Sequence, residues 1–165
     1  MSHKLSSAAT LALVVTLAQP VAAEDLATSI VGAWKLTSFE RKEVASGKTE
    51  RPFGERPIGQ FIFTGGGHSS WFITGENRKP PASPQITDAE RVDLFKTMAA
   101  CSQTYKVEGN KLVETCNASW NQLWTGMQRA NTVEIKGNAL TVTTPPFKNP
   151  QGVESIAIVT WERAE

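Results

Sequence analysis

The sequence predicts an all-β fold, an antiparallel meander curled into a barrel or a sandwich. Two observations carry that expectation. Turn signals recur at short intervals, at Ser46-Gly47, Gly65-Gly66-Gly67, Gly109-Asn110, Gly137-Asn138 and Gln151-Gly152. Between them run segments rich in Thr, Val, Ile, Phe and Trp that alternate with a period of two, the pattern of strands with one face buried.

The first residues fall outside that pattern. One charge at Lys4 precedes the apolar run Leu11-Ala-Leu-Val-Val-Thr-Leu17, then Gln19-Pro20 and the small-residue stretch Val21-Ala22-Ala23. This is the layout of a secretory signal, with cleavage expected between Ala23 and Glu24. The apolar run is too short for a bilayer span of about 20 residues. The expected division is a signal peptide over 1–23 and one domain over 24–165, in an exported chain that is periplasmic or secreted. Removing 23 of 165 residues leaves 142, the size of a single core.

Eight segments of the remaining chain read as strands: AWKLTSFE, IGQFIFT, SSWFIT, QTYKVE, KLVETC, ANTVEIK, ALTVTT and ESIAIVTWE. IKGNALTV is the clearest hairpin, because a Gly-Asn pair suits the tight primed turns. Between SSWFIT and QTYKVE, TDAERVDLFKTMAAC breaks the alternation. Thr87 and Glu90 form a capping box, and Val92, Phe95 and Ala99, joined by Met98, recur at helical spacing. A short helix is expected there, lying over an open barrel end or against the outside of the sheet.

Charge narrows the partners. The whole chain has 17 Lys+Arg and 16 Asp+Glu, and the signal removes one lysine, so the domain is neutral. Nucleic acid and anionic membrane surfaces are recognised by an excess of positive charge, so neither is an expected partner. Cys101 and Cys116 flank the hairpin TYKVEGNKLVET. They form one disulfide or remain two buried thiols; a bridge over about 15 residues would stabilise by about 3 kcal/mol.

Strand parity selects the inward residues. Trp34 and Leu36 belong in the core and carry Ser38 and Glu40 to the same side. Val133 and Ile135 carry Arg129 inward. If no bulge intervenes, Glu40 and Arg129 are two opposite charges in one interior. They make either an ion pair or a ligand-binding pair, Arg129 anchoring a polar group.

Familiar catalytic patterns are missing. His68 is the one histidine left after the signal is removed, so no metal centre and no cofactor are expected. Its residue type suits a general base, although a histidine beside a glycine turn is ordinarily a surface residue. TGGGHSSW reads as a wide turn rather than an oxyanion loop. Asn117-Ala-Ser119 fits a glycosylation sequon. Five tryptophans, at 34, 71, 120, 124 and 161, supply core or pocket wall.

Taken together, GAWKLTSFE, PFGERPIGQFIFTGGGHSS, the threonine-led helix, WTGMQRANTVEIKGNALTVTTPP and the closing TWERA resemble the lipocalin-like domain family. These are small eight-stranded antiparallel barrels of the calycin type. The resemblance implies a barrel able to hold a small apolar ligand, with a basic residue packed across the first-strand tryptophan. Arg163 fits that role by position and Arg129 is its rival. It carries no catalytic residues. The expected function is an exported protein that holds a small hydrophobic or amphipathic molecule. Trp34, Glu40, Phe61, Phe63, Trp71, Trp124 and Arg129 would form the site. Two alternatives stand beside it: a barrel enzyme using Glu40 and His68 for acid–base chemistry, and a filled barrel acting through its surface.

Overall fold

The computed structural model describes residues 23–164. The expected signal peptide falls almost wholly outside them. Ten strands follow a short helix α1 (Ala23–Ser29): β1 (Gly32–Glu43), β2 (Thr49–Glu50), β3 (Ile58–Phe63), β4 (His68–Thr74), β5 (Met98–Glu108), β6 (Lys111–Ser119), β7 (Gln128–Lys136), β8 (Ala139–Thr143), β9 (Phe147–Lys148) and β10 (Glu154–Arg163). Helix α2 (Asp88–Lys96) lies between β4 and β5, and a 3-10 turn (Gln122–Trp124) lies between β6 and β7. The sheet runs β2-β1-β3-β4-β5-β6-β7-β8-β10-β9, and β1 also pairs with β10. Leaving aside the two-residue strands β2 and β9, eight antiparallel strands close into a barrel. All eight strands read from the sequence are present.

Closure removes the free edges of the sheet. It also creates two unlike ends, because antiparallel connections alternate. The tight turns at 64–67, 109–110 and 137–138 gather at one end with the start of β1 and the finish of β10, where Arg163 N donates to Asn138 O. The longer connections 44–57, 75–97, 120–127 and 144–153 gather at the other.

The first end is shut. Trp34 is fully buried and donates from Nε1 to Ile30 O at 2.8 Å, while Leu26 of α1 packs on the core. Arg163 lies 4.2 Å above the Trp34 ring and donates to the carbonyls of Ser29 and Val31. Gly32 makes this possible: its φ is +128°, and a Cβ there would stand 3.1 Å from Arg163 Nη1. That is the physical content of the Gly-x-Trp motif. Arg163 rather than Arg129 fills the role the resemblance assigned to a basic residue. Beneath Trp34, Phe61, Phe63 and Trp161 fill the barrel, with ring centroids 4.0 Å (Phe61–Phe63) and 5.4 Å (Phe61–Trp161) apart. Each buried ring contributes roughly 1.5–3 kcal/mol of transfer free energy.

Two bulges change the reading of strand faces. Between β1 and β10, Leu36 pairs with Trp161 but Ser38 with Thr160, so Thr37 is an extra residue. The inward face moves to Phe39 and Arg41, and Arg41 binds Glu50 at 3.2 Å. The expectation that Glu40 points inward fails here: Glu40 accepts from Arg51 at 2.8 Å on the outside of the barrel. Asn117 is the second extra residue, since Ser102 pairs with Ala118 and Gln103 with Cys116. Its side chain is exposed. Cys101 and Cys116 are joined in a disulfide, with Cα atoms 6.2 Å apart.

Helix α2 has the expected capping box: Thr87 Oγ1 accepts from Glu90 N, and Glu90 Oε2 accepts from Thr87 N at 2.8 Å. It is shorter than the helical spacing implied. Met98 and Ala99 belong to β5, because Gly75 N bonds Thr97 O and the β4–β5 ladder begins immediately after. No α2 residue is buried. The helix sits at the rim of the open end, where Phe95 stacks on Trp120 and accepts, at its carbonyl, a hydrogen bond from Trp120 Nε1 at 2.9 Å.

Candidate functional site

The open end collects aromatic side chains from separate connections. Trp120 stands 5.1 Å from Trp124, and Trp124 stands 6.0 Å from Trp71. Trp71 is on the inward face of β4 opposite Cys101, and the 3-10 turn capped by Asn121 brings Trp124 over it. Arg129, near the start of β7, places its guanidinium 4.9 Å from the Trp124 ring centroid. Both tryptophans and Arg129 are half-buried.

One layer deeper, polar side chains cross β4 to β7. Ser69, Gln103, Glu114 and Asn131 are each buried. Glu114 Oε2 accepts from Asn131 Nδ2 at 2.6 Å, and Oε1 accepts from Gln103 Nε2. The Asn131 carbonyl oxygen and the Ser69 hydroxyl are buried without a hydrogen-bond partner. The opposite wall, on β1, β3, β8 and β10, is mainly apolar, with Leu36, Phe61, Val142, Val159 and Trp161, and its polar members are the buried Ser155 and the ion-paired Arg41. The interior is therefore two-sided.

Burial dominates the electrostatics of Glu114. It pushes the carboxyl up to about 8, against the opposing pull of the Asn131 hydrogen bond and the Arg129 charge. Glu114 is thus mostly a neutral acid at pH 7. Burial also draws Arg129 down from the usual arginine value, and Glu114 opposes it. Among the described residues, no hydrogen bond and no ion pair within 4.0 Å engages the Arg129 guanidinium; its contact is the face of Trp124. Its planar fork of donors suits a carboxylate, phosphate or other oxyanion.

The residues singled out from the sequence divide into three groups. Arg129, Trp71 and Trp124 meet at the open end. Trp34, Phe61 and Phe63 lie in the packed core, Trp34 at the shut end. Glu40 and His68 stand outside, His68 exposed at the first position of β4. Sequence reading missed Glu114, although its signal was present: KLVETC places it on the parity of Leu112 and Cys116, and both are buried. Among the described residues, no cluster of His, Cys, Asp and Glu could hold a metal ion. No helix among them is long and apolar enough to cross a membrane.

An eight-stranded antiparallel barrel, shut at one end by a tryptophan–arginine stack and bordered at the other by its long connections, is the architecture of small-molecule-binding barrels. The family model described as the lipocalin-like domain matches residues 31–164, and the chain belongs to that family. A search of curated proteins finds no match to this chain.

Proposed function

We propose that this chain is an exported protein that holds a small hydrophobic or amphipathic molecule at the open end of its barrel. Arg129 takes the anionic group, and Trp71 and Trp124 lie against the apolar body. Arg129 carries the reading: a half-buried guanidinium at the entrance, seated on an aromatic face with its donors uncommitted to acceptors among the described residues. Desolvating a charge without a hydrogen-bond acceptor is unfavourable, and an anionic ligand removes that cost. Phe61 and Phe63 form the floor beneath.

Titration of tryptophan fluorescence with dodecanoate and with retinoic acid tests it. Saturable quenching in the wild type, weakened about tenfold or more in Arg129→Ala with an unchanged melting temperature, is the expected result. Absence of quenching by either acid would sink the proposal. A large loss of stability in Arg129→Ala would make the residue structural instead.

One observation favours acid–base catalysis as a second reading. A buried carboxyl that titrates near 8 is the kind of group such chemistry uses, and Glu114, not Glu40, is that group here. Turnover of a lipophilic substrate that vanishes in Glu114→Gln would establish it.

A further inference from the structure

Glu114 and Arg129 are direct partners across the β6–β7 ladder, both on the inward face. Directly opposed side chains have Cβ atoms about 5 Å apart, close enough for an ion pair. None within 4.0 Å is made. Each charge-bearing group has other contacts: Glu114 receives Gln103 and Asn131, while Arg129 rests on Trp124. A flexible arginine side chain between an open mouth and a buried carboxyl has two places to go.

We infer that an anionic ligand and the Glu114 carboxylate compete for Arg129, so that binding of an acid at the open end is coupled to uptake of a proton by Glu114. This rests on the reading of Arg129 as the ligand anchor. When Glu114 is neutral, Arg129 is available at the mouth. When Glu114 ionises, it is a buried carboxylate whose counter-charge is Arg129, and a ligand anion must either draw that cation away or sit beside a like charge. Both are unfavourable, and protonation of Glu114 relieves both.

The groups facing Glu114 leave it as the one that titrates in the neutral range. From β5 come Gln103 and Tyr105, the latter directly opposite, with its hydroxyl donating to Thr64 O and its phenol pushed further up by burial. From β7 come Asn131 and Arg129. The inward charge on the far wall, Arg41, is engaged by Glu50. Burial holds the Glu114 carboxyl near 8, which places the coupling between about pH 7 and 9. The linkage is reciprocal: a bound anion raises the proton affinity of Glu114 by the factor by which protonation raises anion affinity.

Calorimetric titration of the purified chain with dodecanoate, in two buffers of different ionisation enthalpy at each pH (phosphate and Bis-Tris at pH 6.0, borate and Tris at pH 8.5), measures the proton count directly. Expected are an uptake of up to about three-quarters of a proton per dodecanoate at pH 8.5, almost none at pH 6.0, and affinity about three- to fourfold weaker at the higher pH. Glu114→Gln should abolish the buffer dependence and flatten the affinity between the two values. Gln is near-isosteric, and rotation of the Asn131 amide offers its unpartnered oxygen to the new N–H. Binding that depends on Arg129 but takes up no proton in the wild type would overturn the coupling and leave the binding function standing, as would proton uptake that persists in Glu114→Gln. No binding of dodecanoate at either pH would overturn both. Proton uptake in the wild type needs no variant, so a misfolded Glu114→Gln would not rescue the idea.

Discussion

The guanidinium of Arg163 lies 4.2 Å above the ring of Trp34, joining the last strand to the first and closing one end of the barrel. It also donates to Ser29 O and Val31 O, which ties down the segment entering β1. Arg163→Ala removes a cation–π contact and two charge-assisted hydrogen bonds. A loss of about 2 kcal/mol is expected, read as a lower urea midpoint at unchanged slope. Arg163→Lys should recover less than half, since an ammonium lacks the planar fork. A wild-type midpoint in Arg163→Ala would refute the contact's structural role.

The bridge between Cys101 and Cys116 spans 15 residues. Replacing both cysteines by serine should cost about 3 kcal/mol, chiefly by freeing the unfolded chain. Equal denaturation midpoints for the oxidised and reduced wild type would show that the bridge adds nothing.

Glu114 predicts how stability depends on pH. Its folded value, about 8, lies above the unfolded carboxylate value of 4.5. Between the two, the folded protein holds a proton that the unfolded chain releases. The contribution is complete below about pH 4.5 and is lost as pH rises toward 8, at up to about 1.4 kcal/mol per pH unit. Glu114→Gln should remove that slope. Denaturation at pH 5, 6, 7 and 8 for both proteins measures it, and parallel curves would be the contrary result.

Helix α2 buries none of its residues, so its capping box matters locally. Thr87→Ala should lower the local stability of α2 by about 1 kcal/mol. Amide exchange over residues 88–96 should quicken about fivefold, while strand amides and the global midpoint stay as they were. A comparable drop in global stability would mean that α2 supports the barrel.

Phe61 presents the opposite case. It is buried against Phe63 and Trp161, so Phe61→Ala should cost about 3–5 kcal/mol through lost transfer energy and a cavity. A cost below about 1 kcal/mol would indicate space already present beside it.

Much of this fold was legible in the chain because the signals are local. Period-two alternation marks each of the eight barrel strands, and the Gly137-Asn138 turn joins β7 to β8 with Gly137 at φ +57°. Parity also placed Arg129 inside, and the same argument applied to KLVETC reaches Glu114. It failed for Glu40 because Thr37 is an extra residue, and nothing in AWKLTSFE marks it. A bulge is decided by how two strands distant in sequence register against each other, here β1 with β10.

By itself the sequence determined the order of the eight barrel strands, the helix cap and the place of Trp34 on the inward face of the first strand. Those follow from backbone preference and from which side chains avoid water, properties of neighbouring residues. Only the tertiary structure decided that Glu40 faces out, that Arg163 and not Arg129 covers Trp34, and that Glu114 sits opposite Arg129 without pairing to it. Those outcomes depend on closure and register across the whole sheet. One residue added to a strand reverses every face beyond it.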